Sequence, residues 1–250
     1  MNVELLLLSL FLPLFPFSAI FSFVFKKLSS PGLSVLLLFA WPQIGLGLVD
    51  ITQQALPSWL IGWAVVTAIL YAWRALVFRD LMMWVLFMAI SSWALLWAIA
   101  QGQSAVSLKL YALGFSLSLV VMVLLAAQLQ KRFQAAYAGL STGIAETLPR
   151  LSWLLVAAVL GVVATPVFPG FFAMLSSVLV QVETMPWIAV GLMLVWFFWS
   201  WSGMRLLQGL VTGPAAQQHQ VEDLSYVTAV MFGIPLLVNV ALGLYMAGGL

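Results

Sequence analysis

Apolar residues run along this chain in long blocks, and the short stretches between blocks collect most of the charged side chains. A helix needs about 20 mostly apolar residues to cross a bilayer. The blocks predict spans at Leu5–Phe25, Leu33–Asp50, Trp59–Phe78, Leu81–Ala100, Leu108–Gln128, Leu151–Thr165, Phe168–Val182, Trp187–Leu207 and Tyr226–Ala247. The expected fold is all-α, a polytopic transmembrane helical bundle of about nine spans in a single domain, 1–250. Two N-terminal helices fill 1–52, a central region fills 59–182 with a connection at 131–150, and two C-terminal helices fill 183–250. The sixth and seventh blocks are short, and Thr165-Pro166-Val167-Phe168-Pro169-Gly170 joins them tightly. Eight helices, with that pair merged into a re-entrant unit, is the alternative count.

Composition agrees. Hydrophobic residues make up 64% of the 250 positions and charged residues 6%, against about 25% charged in a soluble domain. So few charges could not cover a soluble surface, which makes the lipid bilayer the solvent. There is no cysteine, which excludes a disulfide framework, thiolate metal sites and a cysteine nucleophile. The net charge of +2 is small, and Lys26-Lys27 and Lys131-Arg132 are short pairs, so no nucleic-acid partner is expected. No Glu-x-x-His pair, His cluster, Gly-rich phosphate loop or nucleophile elbow occurs. No metal, no cofactor and no intrinsic catalytic activity are expected. His219, in Gln217-Gln218-His219-Gln220, reads as a solvated loop residue.

Charge distribution suggests an orientation. No basic region precedes Leu5–Phe25, whereas Lys26 and Lys27 follow it, so the segment reads as a retained first span with its N-terminus outside. Nine spans then put Lys26, Lys27, Arg74, Arg79, Lys131, Arg132 and Arg150 inside, and Lys109 and Arg205 outside, in keeping with the positive-inside rule. The C-terminus would be cytoplasmic, in a bacterial inner membrane. Trp59, Trp84, Trp153 and Trp187 fall at span ends and read as headgroup anchors. Pro13, Pro16, Pro42, Gly45, Gly47, Gly161 and Pro235 read as kinks and close-packing positions.

From Trp59 onward the chain resembles the antiporter-like membrane subunits of the complex I superfamily. Arg79-Asp80-Leu81 resembles the end of the helix that closes on an "rDlK" turn, and Ala89-Ile90-Ser91-Ser92-Trp93 resembles the "AYSS" run. Leu110-Tyr111-Ala112-Leu113-Gly114-Phe115 resembles "hllnHalfKalLF". Ala138-Gly139-Leu140 with Leu148-Pro149 resembles "GGL…mP", and Gly161 through Met174 resembles "GiPplsGFwsK". Arg205–Gly213 resembles "fRl…ffG", and Val221-Glu222-Asp223-Leu224 fits the tail. The superfamily includes complex I, Mrp-type antiporters, membrane-bound hydrogenases and DAB-type inorganic-carbon uptake systems. The family's subunits have about fourteen spans in two inverted repeats, so this chain would hold one repeat plus flanking helices.

The resemblance implies a proton path of buried ionisable groups, and this chain departs from it at four positions, while Asp80 survives at a helix end beside Arg79. The lysine of the "rDlK" turn falls on Met82, the histidine on Leu113, the lysine four residues later on Leu117, and the ionisable residue after "GF" on Met174. A proton relay needs groups that exchange protons through water, and Met and Leu cannot. The remaining polar candidates in or near the bundle are Arg74, Asp80, Lys109, Glu146 and Arg205. Arg74 reads as snorkelling or paired with Asp80, Lys109 as snorkelling from an outer helix turn, and Glu146 as solvated or packed on a soluble partner. The expected function is a non-conducting structural or adaptor subunit of a proton- or cation-coupled complex, such as a bicarbonate uptake complex. Its expected partners are a larger antiporter-like subunit and a soluble cytoplasmic subunit. The alternative is a proton- or cation-translocating subunit.

Overall fold

A computed structural model describes residues 3–52, 57–101, 103–140, 142–213 and 221–248; His219 lies outside them. The described residues form helices, with a single isolated β-bridge between Asp80 and Tyr137. In chain order they are α1 (Val3–Phe11), α2 (Ser18–Lys27), α3 (Pro31–Thr52), α4 (Ser58–Val77), α5 (Leu81–Ile99), α6 (Ala105–Phe133), α7 (Ile144–Thr147), α8 (Pro149–Val162), α9 (Pro169–Thr184), α10 (Pro186–Leu210) and α11 (Tyr226–Ala247). Local chemistry sets these starts. Asp80, Ser104 and Ser225 cap α5, α6 and α11 by accepting from Met83, Ser107 and Thr228 N–H. Pro149, Pro169 and Pro186 open α8, α9 and α10, where the missing N–H costs nothing.

Six described helices are long and apolar enough to cross a bilayer: α3, α4, α5, α6, α10 and α11. The protein is an integral membrane protein with a polytopic helical bundle. The first expected span, Leu5–Phe25, is two helices, because Pro13 and Pro16 break it rather than kink it. The sixth and seventh expected spans are helices of 14 and 16 residues. At 1.5 Å per residue neither reaches about 30 Å, and the two lie end to end along α6. The Arg150 backbone N–H, at the start of α8, donates to Asp223 Oδ2, next to the bond from Arg132 Nε at the end of α6 to the Glu222 carbonyl. Gly161 meets Ser118, Gly170 meets Phe115, and Gln181 bonds Gln101 ahead of α6. α8 and α9 therefore run end to end as one discontinuous segment, which is neither the two separate spans expected nor the re-entrant unit of the alternative count.

This changes one predicted side. With α8 and α9 sharing a crossing, α10 runs opposite to the nine-span expectation, and Arg205 joins Arg79 instead of Lys109. Arg205 Nη1 donates to Leu76 O at 2.6 Å, and Gly139 N–H donates to Gly209 O at 2.7 Å. One end of the bundle thus gathers Lys26, Lys27, Arg74, Arg79, Lys131, Arg132, Arg150 and Arg205, leaving Lys109 towards the other.

The core centres on α5, buried over 89% of its spanning window, whereas α11 is buried over 17%. An all-round apolar helix belongs at the centre of a bundle. Trp84 corrects another expectation. It is fully buried, and its indole donates to Ser202 Oγ at 3.2 Å, whereas Trp59, Trp153 and Trp187 are exposed as anchors should be.

Candidate functional site: the two helix breaks

A break inside a bilayer frees carbonyls that hydrocarbon cannot satisfy. At the first, between α1 and α2, three indoles supply donors. Trp41 donates to Leu10 O at 3.1 Å, Trp97 to Leu12 O at 3.0 Å, and Trp63 to Phe15 O at 2.7 Å. Phe15 N–H donates to Thr67 Oγ1 at 3.3 Å.

The second break runs from Val163 to Phe168. Ala164 and Val167 adopt left-handed backbone with φ of 58° and 80°, each a cost of about 1–3 kcal/mol for a non-glycine residue. Packing and hydrogen bonds hold them. Thr165 donates from its N–H and its hydroxyl to Leu160 O, and Trp196 donates to Ala164 O at 3.2 Å. On α11, Gly243 lies so close that a Cβ would stand 2.1 Å from Val167 O. Beside this break Asn239, wholly buried, donates to Gly114 O at 3.0 Å and Ser118 Oγ at 2.8 Å.

Other buried polar groups are neutral too. Trp199 donates to Ser91 Oγ at 2.9 Å, Ser91 donates to Ala68 O at 2.8 Å, and Ser116 donates to Leu38 O at 2.8 Å. Ser18 and Tyr71 share a 2.8 Å bond. Among the described side chains no Asp, Glu, Lys or Arg is buried.

No protein-family model and no curated protein matches the sequence. Solved structures do match. A chain of respiratory complex I from Thermus thermophilus superposes with a TM-score of 0.71 at 19% identity, over 95% of this chain and 53% of that one. A chain of the Mrp complex from Dietzia sp. gives 0.80 at 14%, over 96% and 55%. A chain of the membrane-bound sulfane sulfur reductase, an archaeal respiratory membrane complex, gives 0.73 at 16%, over 96% and 51%. The chain shares the fold of these membrane-complex chains. The chain spans about half the length of the solved chains it matches.

Within this fold the predicted residues do not converge on one site. Asp80 Oδ1 accepts from Met83 N–H at 2.8 Å as a helix cap, and Arg74, exposed, sits 5.5 Å from the Phe87 ring instead of on Asp80. Asp80 and Met82 share a cleft of about 260 Å³ with Ser29, Ser30, Ser34 and Gln130. Lys109 is half-buried, with its carbonyl accepting from Gln43. Glu146 is exposed on α7, and Arg205 is exposed on α10. Met174 is fully buried, while Leu113 and Leu117 are half-buried. The pair of α6 residues turned to the break is their neighbours, Gly114 and Ser118.

Sequence reasoning missed Asn239 and the indoles that serve the breaks. An asparagine alone in a 22-residue apolar helix is a signal in itself, because a polar side chain in a spanning helix bonds across to a neighbour. The indoles gave no such signal, since one residue type serves as anchor, filler and donor.

Proposed function

We propose that this chain is a non-conducting, antiporter-like subunit that acts as a scaffold or adaptor within a larger membrane complex. The supporting observation is the chemistry of the two breaks: indole N–H groups bond the Leu10, Leu12, Phe15 and Ala164 carbonyls, the Thr67 and Thr165 hydroxyls bond Phe15 N–H and Leu160 O, and neutral Asn239 lies beside the second break. An ionisable group near the bilayer centre costs about 2.5–3.5 kcal/mol on insertion scales, a cost carried where a proton or ion uses it. This bundle carries no such group among its described buried side chains. The solved chains of the same fold come from multi-subunit complexes, which supports membrane-subunit partners here.

The expected partner is a longer antiporter-like subunit, with a soluble cytoplasmic subunit at the end that carries the 131–150 connection and Glu146. A bicarbonate uptake complex would be served by this scaffold as well as a respiratory or antiporter complex. The excess of cations at that same end supports placing it in the cytoplasm of a bacterial inner membrane. The eight crossings would then put the end of α11 on the outer side.

Co-purification from mild detergent tests the proposal. A longer antiporter-like chain should elute with this one, and the complex should fail to assemble without it. A free monomer, with normal assembly of the complex in its absence, would contradict the reading. The translocating alternative requires proton flux through the pure protein.

A further inference from the structure

At the basic end, α4 and α10 part around a cleft of about 290 Å³ whose wall includes Arg79, Arg205, Gln208, Ser202 and the Ala138-Gly139 backbone. The two guanidinium groups come from different elements, the α4–α5 turn and α10, and no Asp or Glu lines the cleft. Arg205 spends one N–H on Leu76 O; a guanidinium has five, so its remaining donors stay available. Gly139, at φ 99°, keeps the space beside Arg79 Nη1 open, since the nearest heavy atom to a Cβ there would be that nitrogen, 3.8 Å away. One helical turn further into the bilayer, Trp73 on α4 and Trp201 on α10 face outward, with Val77 and Met204 exposed beside them. Trp73 stands edge-on to Phe198, with ring centroids 5.5 Å apart.

We infer that this cleft binds the phosphodiester headgroup of an anionic phospholipid. Arg79 and Arg205 hold the phosphate, and the outward face of α4 and α10 takes the acyl chains. Paired guanidinium groups suit phosphate oxygens through their forked donors. Basic pockets between spanning helices are where anionic headgroups settle. The tryptophans one turn below fix the depth, because indole prefers the headgroup layer. A zwitterionic lipid brings its own cation to the same phosphate and gains less from two arginines. Free inorganic phosphate has the same recognition chemistry but lacks the apolar contact.

The test measures lipid retained by the full chain in detergent, by native mass spectrometry, with phosphatidylglycerol, cardiolipin, phosphatidylcholine or inorganic phosphate added. Phosphatidylglycerol and cardiolipin should be retained about thirtyfold over phosphatidylcholine, the equivalent of about 2 kcal/mol from two near-surface cations, and phosphate should not compete at equal concentration. The double variant Arg79→Gln with Arg205→Gln should lose that preference. Arg79→Gln alone, which leaves the Arg205–Leu76 contact intact, should lose much of it. Lys26→Gln with Lys27→Gln should keep it. Equal retention of phosphatidylcholine, full competition by phosphate, or an unchanged preference in both arginine variants would overturn the inference. So would photo-crosslinking from Gln208 in native membranes that captures only protein, which would give the cleft to an acidic partner.

Discussion

Trp97 Nε1 donates to Leu12 O at 3.0 Å, so a side chain in the last turn of α5 closes a backbone break in a different part of the bundle. Both groups are buried. Trp97 is thus the donor to a carbonyl that the chain frees as it unwinds between α1 and α2. Trp196 serves Ala164 in the same way at the second break.

Trp97→Phe therefore strands a buried carbonyl, which costs about 1–3 kcal/mol. Trp93 is the internal control. It lies one turn earlier on α5, equally buried, and its indole N–H makes no hydrogen bond. Trp93→Phe loses the same ring volume without losing a bond. Denaturant or thermal unfolding in detergent should show Trp97→Phe to be the less stable of the two by that margin.

Gly243 and Gly47 make a second pair. A Cβ on Gly243 collides with the Val167 carbonyl, whereas a Cβ on Gly47 meets nothing within 4 Å. Gly243→Ala should cost about 1–3 kcal/mol by overpacking. Gly47→Ala should be neutral or stabilising by up to about 1 kcal/mol, the helix-propensity gain. The same unfolding assay reads both.

The eight-crossing topology is testable because the chain has no cysteine of its own. Single substitutions Glu146→Cys, Glu183→Cys and Glu222→Cys place a thiol at exposed positions. A membrane-impermeant maleimide should label Glu146→Cys and Glu222→Cys from one side and Glu183→Cys from the other. Nine spans would instead group Glu146→Cys with Glu183→Cys.

Much of the fold was readable in the residues. The last helix, Tyr226–Ala247, coincides with its predicted span, and α5 ends one residue before its predicted limit. Hydropathy found the apolar blocks but could not distinguish two spans from two half-length helices laid end to end, since both present the same apolar run. Pro13 and Pro16 read as kinks, because a kink and a break share the missing N–H; the difference lies in the tryptophans that satisfy what a break exposes, far away in sequence. The apolar character of Met82, Leu113, Leu117 and Met174 was plain in the chain. That Gly114 and Ser118 are the α6 residues facing the break needed the helix rotation, which the neighbouring α11 sets through Asn239.

The most direct measurement of the central claim is proton flux into liposomes carrying the purified chain, driven by an imposed potential. Flux equal to that of protein-free liposomes is expected, for wild type and for Asp80→Asn and Lys109→Ala alike. Flux clearly above that background, abolished by Asp80→Asn or Lys109→Ala, would contradict the account and assign the chain a conducting role.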